Sequence, residues 1–274
     1  MPAKMGERKR LDSLLLERGL VPSRQQARSL ILAGKVRVED QVIDKAGALV
    51  SLEARIAVEA EAHCPYVSRG GLKLERALEA FALSLAGKVA LDAGASTGGF
   101  TDCLLQRGCR RVYAVDVGYG QLDWKLRQDP RVVVIERQNL RYLTPQDLPE
   151  PVDLVTLDLS FISLTLVLPV VQKLLPPTGE IVALVKPQFE VGKGEVGKGG
   201  VVRDPQKHAC VLQKVIECAE ALGLFLQGLI RSPLKGPKGN IEYLVHLQPS
   251  PTQRSSEEVA AWISQAVACS DEDE

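Results

Sequence analysis

The chain has 274 residues with 34 basic and 34 acidic side chains. Six of the acids and no base lie in residues 255–274, which leaves a net charge of about +6 on the preceding residues. A polyanion would bind to that basic part of the chain. Its length is enough for one large domain and one small domain. Because its cysteines and histidines lack metal-ligand spacing and no apolar stretch suits a signal peptide or membrane span, we expect a reduced, cytoplasmic protein without a metal or membrane partner.

The first predicted elements form a small α+β domain in residues 1–60. The segment LDSLLLERG is typical of a helix that ends at Gly19. Ser23 and Gln26 have the spacing of a capping box at the start of a second helix, which Gly34 ends. The next residues, KVRVEDQVIDKAGALVSLEARIAV, alternate apolar and polar side chains around turn signals, as half-buried strands do.

This domain is basic. Residues 8–37 carry eight bases and two acids, and two arginines four residues apart share one face of the second helix. Such a face could bind RNA or be merely solvated. The segment RLDSLLLERGLVPSRQQARSLILAGKVRV resembles the small RNA-binding domain of ribosomal small-subunit protein S-four. The resemblance implies that RNA is bound by Arg10, Ser23, Arg24, Arg28, Lys35 and Arg37.

A linker is predicted at 61–67, a larger α/β domain at 68–249 and an acidic C-terminal tail at 250–274. The larger domain alternates helical stretches with strand-like runs, which predicts a mostly parallel sheet. The final two runs read as a hairpin, so the last strand is expected to be antiparallel, as in Rossmann-like methyltransferases. The seven runs are VALDAG, RVYAVDVG, VVVIE, DLVTLDLS, EIVALVKP, LFLQGLI and IEYLVHL.

The first of these strands leads into the glycine-rich stretch LDAGASTGGF, residues 91–100. Its spacing differs from the G-x-G-x-x-G of dinucleotide sites, and the acid at the strand end suits a ligand with an ammonium group, such as S-adenosylmethionine. Asp116 ends the next strand, where an acid can accept from ribose hydroxyls. Either acid alone could be a loop cap. Together they favour a cofactor site formed by Asp92, Gly94, Ser96, Thr97, Gly98, Gly99, Phe100 and Asp116.

Four charged residues are expected to meet at the same edge of the sheet. Asp158 and Lys186 end parallel strands, and ligands bind beyond the carboxyl ends of such strands. Glu242 begins the antiparallel strand, and Lys73 begins a helix that descends to the first strand, so both belong to that edge. The alternative is a surface ion-pair cluster, which is common and contributes little.

The stretch VKPQFEVGKGEVGKGG, residues 185–200, nearly matches a nucleotide-binding phosphate loop. Gly192, Gly197 and Lys198 have the required spacing, but Gly199 stands where a Mg²⁺-binding Ser or Thr is needed. We interpret this stretch as a flexible basic lid over RNA, with Lys193 and Lys198 as RNA-binding residues.

The order SRGGLKL, LDAGASTGGF, AVDVG, LDLSFIS, VKPQFE and GNIEYL resembles the TlyA family of FtsJ-like methyltransferases. The resemblance implies 2′-O-methylation of cytidine in 16S and 23S ribosomal RNA, S-adenosylmethionine as cofactor and ribosomal RNA or ribosomal subunits as partners. It places the family's catalytic tetrad on Lys73, Asp158, Lys186 and Glu242. Two alternatives stay open at this point: a non-catalytic factor for ribosome assembly and a membrane-active hemolysin.

Overall fold

The computed structural model describes residues 8–21, 23–32, 34–58, 64–192, 194–236, 238–249 and 254–268. It divides into two compact units, Met1–Pro65 and Tyr66–Glu274.

In its described residues, the first unit is a small α+β fold with two helices and two short sheets. The buried apolar side chains of both helices form its core together with those of the strands. A three-stranded sheet places β2 between β3 and β5, and a two-stranded sheet pairs β1 with β4. The elements are β1 Arg8–Arg10, α1 Leu11–Glu17, α2 Arg24–Leu32, β2 Val36–Val38, β3 Gln41–Val42, β4 Leu49–Ser51 and β5 Ile56–Val58.

The second unit contains a seven-stranded sheet with strand order β11-β12-β10-β9-β6-β7-β8. β12 is antiparallel to both of its neighbours, β10 and β11, and the other described strand pairs of this sheet are parallel, which confirms the predicted orientation of the last strand. The central strands β6, β9 and β10 are buried along their whole length and carry mostly apolar side chains, because helices cover both faces of such a sheet. The strands are β6 Val89–Ala93, β7 Arg111–Asp116, β8 Val132–Glu136, β9 Leu154–Leu157, β10 Glu180–Val185, β11 Phe225–Arg231 and β12 Tyr243–Gln248.

The longest described helix of this unit, Pro205–Glu220, begins and ends at recognisable signals. At the longest one, the Asp204 carboxylate accepts the N–H of Gln206 at 2.9 Å, and Pro205 occupies the first helical position. Gly223 follows its end with a φ of +75°. The helices are α3 Gly70–Ala80, α4 Gly99–Gln106, α5 Trp124–Arg127, α6 Leu168–Leu174, α7 Pro187–Glu190, α8 Pro205–Glu220 and α9 Ser256–Ala268.

The segment predicted as an acidic tail contains α9, which packs against α8 and β11. Val259, Ile263 and Ala266 are buried in the core of the second unit, at the spacing of one helical face. Trp262 packs at the edge of this core, and the Arg254 guanidinium lies 4.8 Å from the centre of its ring. Thus residues 254–268 belong to the larger fold.

Candidate active site

The carboxyl ends of β6, β7, β9 and β10 bring the predicted charged residues to one edge of the sheet. These four strands are parallel, so the segments that follow them emerge on the same side. Asp158 follows β9 and Lys186 follows β10 directly. Glu242 immediately precedes β12, whose reversed direction brings its start to this edge, and Lys73 lies in the first turn of α3.

The four residues form two ion pairs. The Lys186 Nζ lies 2.6 Å from an Asp158 carboxylate oxygen, and the Lys73 Nζ lies 2.5 Å from a Glu242 oxygen. Both lysines are only 9% exposed and Glu242 is 1% exposed. Desolvating such pairs costs about as much as their attraction returns, so stability alone does not explain them. Their burial argues against the exposed ion-pair cluster considered as an alternative.

All four residues line a cavity of about 810 Å³. Two further polar side chains in it touch the ion pairs. The Lys186 Nζ donates to the Ser160 hydroxyl at 3.3 Å, and the Gln188 amide donates to Glu242 at 3.4 Å. Sequence analysis missed both, although each lies two residues after a tetrad member. It also missed other polar residues of this cavity, namely Ser68, Arg69, Lys235, Lys238 and Asn240.

A second cavity, of about 530 Å³, lies at the end of β7. Asp116 lines it, and its carboxylate accepts the N–H groups of Ser96 at 2.8 Å and Gly118 at 2.6 Å. The two cavities share five lining residues, so a ligand could extend from Asp116 past the glycine-rich loop to the ion pairs. The shared residues are Gly94, Ser96, Asp158, Ser160 and Phe161.

The glycine-rich loop after β6 adopts backbone angles that favour glycine and packs closely against the end of β9. Gly94 and Gly98 have φ angles of +86° and +96°, which side chains other than glycine rarely adopt. A Cβ on Gly94 would collide with the Asp158 carbonyl oxygen, so backbone of the loop and the end of β9 lie in direct contact. Ser96, Thr97, Gly99 and Phe100 line the larger cavity, whereas Gly98 lines neither cavity, and the role of these residues as cofactor contacts stays a prediction.

Asp92 differs from its predicted place. It lies within β6, is fully buried and lines neither cavity. Its carboxylate accepts the hydroxyls of Thr101 at 2.6 Å and Thr156 at 3.1 Å. Burial raises the pKa of Asp92 to about 7 against the effect of these bonds. Asp92 therefore lies away from both cavities, and its direct contact with a cofactor ammonium group stays a prediction.

The basic residues of the first unit surround a buried acid. Asp12 is fully buried, and its carboxylate pairs with Arg10 at 2.9 Å and with Arg24 at 3.3 Å. The Arg10 guanidinium is the main reason that the pKa of Asp12 lies well below its ordinary value. Arg10, Arg24 and Arg28 line one surface depression with Asp12, so the structure groups three of the predicted RNA-binding residues.

The remaining predicted RNA-binding residues do not line this depression. The Ser23 hydroxyl accepts the Gln26 N–H at 3.2 Å and thereby caps α2. Arg37 is exposed and donates to the Asp40 carbonyl at 3.3 Å, and Lys35 is half-buried. Two predictions cannot be placed: Lys193 and the side chain of Lys198 lie outside the described residues.

The segment that resembles a phosphate loop has a different structure. A phosphate loop leads into a helix whose first N–H groups face the ligand. Here Lys198–Gly200 form a single 3-10 turn, and extended backbone follows at Val201. The Glu195 carboxylate accepts the Gly192 N–H at 2.8 Å, so an acid of the chain itself occupies this donor.

Within the described ranges, no group of three or more His, Cys, Asp or Glu side chains could hold a metal ion. None of the helices described there is long and apolar enough to cross a membrane.

Two family models match the chain: the FtsJ-like methyltransferase over residues 66–249 and the S4 domain over residues 9–56. The 16S/23S rRNA (cytidine-2'-O)-methyltransferase TlyA of Mycobacterium tuberculosis is 53% identical over 244 residues, which cover 89% of this chain and 91% of that protein. Hemolysin A of Brachyspira hyodysenteriae is 42% identical over 239 residues, 86% of this chain and 98% of that protein. A solved Streptococcus thermophilus structure described as a hemolysin superposes with a TM-score of 0.75 at 43% identity, covering 94% of this chain and 95% of its own.

Proposed function

The chain belongs to the TlyA family of FtsJ-like methyltransferases, and from this premise we propose that it methylates the ribose 2′-hydroxyl of cytidine in ribosomal RNA with S-adenosylmethionine as donor. The observation that carries the proposal is the cavity in which Lys186 and Asp158 stand beside the glycine-rich loop. The rRNA methyltransferase of M. tuberculosis, more than half identical over most of both chains, supports the substrate class.

The residues around the two cavities fit S-adenosylmethionine. Asp116 can accept from ribose hydroxyls, since each carboxylate oxygen has acceptor capacity beyond one backbone N–H. Gly94 lines both cavities, where its backbone can lie next to a ligand without an intervening side chain. The bound cofactor supplies a methyl group that its sulfonium already activates, so the protein's task is to position the hydroxyl and handle its proton.

Lys186 is our candidate for contact with the 2′-hydroxyl. Asp158 and Ser160 hold its amine from two sides at the end of a fully buried strand, which fixes its position in the cavity. In this place it can orient the oxygen lone pair by donating to it, or accept the hydroxyl proton when its amine is neutral. Lys73, fixed by Glu242, adds a second positive charge that suits the RNA backbone.

The basic depression of the first unit, lined by Arg10, Arg24 and Arg28, supports RNA as the macromolecular partner. Guanidinium groups suit phosphate because they present two parallel donors. Arg10 and Arg24 are about half exposed despite their bonds to Asp12, so they retain donors for a ligand. In this proposal the first unit supplies RNA affinity, and the second unit performs the reaction.

The proposed function is tested by incubating the protein with methyl-labelled cofactor and ribosomal subunits that lack ribose methylation, followed by mapping of the label. We expect label on the ribose of cytidine. Label on a base, or binding of RNA and cofactor without transfer, would contradict the proposal. The second of these results would favour the non-catalytic assembly factor.

A further inference from the structure

Asp92 is a buried acid that the proposed reaction does not use directly. It is fully buried and accepts hydrogen bonds from Thr101 and Thr156, both of which are also fully buried. Its pKa is raised to about 7 because burial disfavours the charged carboxylate. An apolar side chain would avoid this cost, so stability alone does not account for an acid at this position.

The two threonines belong to the elements that carry the two halves of the site. Thr101 lies in the first turn of α4, the helix that the glycine-rich loop enters. Thr156 lies in β9, two residues before Asp158, and is the direct partner of Asp92 in the parallel register of β6 and β9. The Asp92 carboxylate therefore connects the helix behind the cofactor loop with the strand that presents Asp158.

Two residues after Asp92 and Thr156, the glycine-rich loop that follows β6 contacts the end of β9. The Asp158 N–H donates to the Ala93 carbonyl at 3.0 Å. Gly94 approaches the Asp158 carbonyl oxygen so closely that a Cβ would collide with it. Because the backbone at Gly94 packs directly against the Asp158 carbonyl, a shift of β9 relative to β6 would displace both the glycine-rich loop and Asp158.

We propose that Asp92 is a positioning residue. Through Thr101 it holds the helix that follows the glycine-rich loop, through Thr156 it holds β9, and it thereby fixes the loop against the strand that presents Asp158. This inference rests on the proposed methyltransferase function, since it assigns Asp92 to the alignment of methyl donor and Lys186. The Asp92 side chain lines neither cavity. Its effect passes through Asp158, which holds Lys186 at 2.6 Å.

The test compares two substitutions at each threonine in the full chain. Thr156→Val and Thr101→Val remove the hydroxyl but keep the size of the side chain, whereas Thr156→Ser and Thr101→Ser keep the hydroxyl and lose a methyl group. If the hydroxyls matter, the serine variants resemble the parent and the valine variants do not. If only packing matters, the serine variants are the worse ones, because a lost methyl leaves a cavity.

Two measurements test the hydrogen bonds of Asp92 to Thr156 and to Thr101 separately. Thr156→Val should lower the single-turnover methylation rate at saturating cofactor and RNA about tenfold, the size of effect expected for the loss of one buried hydrogen bond. Thr101→Val should weaken binding of S-adenosylmethionine about tenfold by calorimetry. Each serine variant should stay within about threefold of the parent in the same measurement.

The inference is overturned if either valine variant stays within twofold of the parent in its own readout, since the hydroxyl bond between Asp92 and that threonine would then not position the site. It is also overturned if the serine variants are impaired as strongly as the valine variants. Failure of the proposed function is distinguishable, because in that case the parent protein itself transfers no methyl group to the RNA. The calorimetric comparison at Thr101 does not depend on methyl transfer.

Discussion

At the scale of single residues, the site depends on oxygen atoms that hold charged groups in place. Lys186 is fixed by Asp158 and Ser160, and Asp116 is fixed by two backbone N–H groups. These bonds reduce the number of positions that each side chain can take before a ligand binds. Preorganisation of this kind lets binding energy go into alignment of the reacting groups.

Asp116→Ala should weaken binding of S-adenosylmethionine, because it removes a charged acceptor for the ribose hydroxyls. The expected loss is about 1.5 to 3 kcal/mol, measured by calorimetry on the full chain. Asp116→Asn keeps one acceptor oxygen and should lose less. Asp129→Ala is a matched control, since Asp129 pairs with Arg131 and lines neither cavity. Equal affinity of the Asp116→Ala variant and the parent would remove Asp116 from the cofactor site.

Sequence patterns predicted which charged residues meet at this edge, but they did not predict the buried position of Asp92. Asp158 and Lys186 follow buried strands, and the rule for parallel sheets places the carboxyl ends of such strands together. Asp92 has a similar sequence context but lies inside its strand. Successive side chains of a strand point to opposite faces, so an error of one residue in the strand end changes the face.

At the scale of elements, a second buried acid holds strands together away from the site. Glu180 begins β10, and its carboxylate lies 3.3 Å from the His246 ring nitrogen in β12 and also pairs with Lys88 before β6. Burial alone would raise the pKa of Glu180, but His246 and Lys88 outweigh it and lower the pKa to about 2. Glu180 therefore connects three separate parts of the sheet.

Glu180→Gln should make stability less dependent on pH in the acid range. The folded pKa lies below the ordinary value of 4.5, so the carboxylate stabilises the fold fully above pH 4.5 and loses this contribution as pH falls towards about 2. The parent should therefore lose on the order of 2 kcal/mol more than the variant between pH 6 and pH 2.5, measured by urea unfolding. Glu217→Gln, at an exposed position of α8, is the matched control. Parallel pH profiles for parent and Glu180→Gln would contradict this role.

The element that sequence analysis missed is α9. Its buried residues Val259, Ile263 and Ala266 have a clear helical spacing, but the surrounding acids suggested a solvated tail. A helix can carry acids on one face and pack the other, and here Glu257 and Glu258 lie in the first turn, where negative charge is favourable. Composition alone could not distinguish this helix from an unstructured segment.

At the scale of the whole molecule, two compact units match two separate family models, one typical of RNA binding and one of methyl transfer. Sequence patterns predicted this division because the helical signals and the charge of the first unit differ from the strand pattern of the second. The pairing of Arg10 and Arg24 with buried Asp12 was not predictable, since Asp12 reads as an ordinary polar residue of α1.

The combined change of Arg24 and Arg28 to alanine should weaken RNA binding and reduce its dependence on salt. Each phosphate contact releases counterions, so losing two contacts should lower the slope of log affinity against log salt by about 1 to 2. Affinity for S-adenosylmethionine should not change, because neither arginine lines the cofactor cavities. An unchanged salt slope would mean that this basic face is only solvated.

The most direct test of the central claim compares Lys186→Ala with Lys198→Ala in single-turnover methylation at saturating cofactor and RNA. Saturation removes binding from the measured rate. Lys186→Ala should lower the rate by about 10² to 10⁴, the usual effect of losing a positioned proton acceptor, whereas Lys198→Ala should transfer methyl groups at the parent rate. A slow Lys198→Ala variant beside an undamaged Lys186→Ala variant would contradict the account.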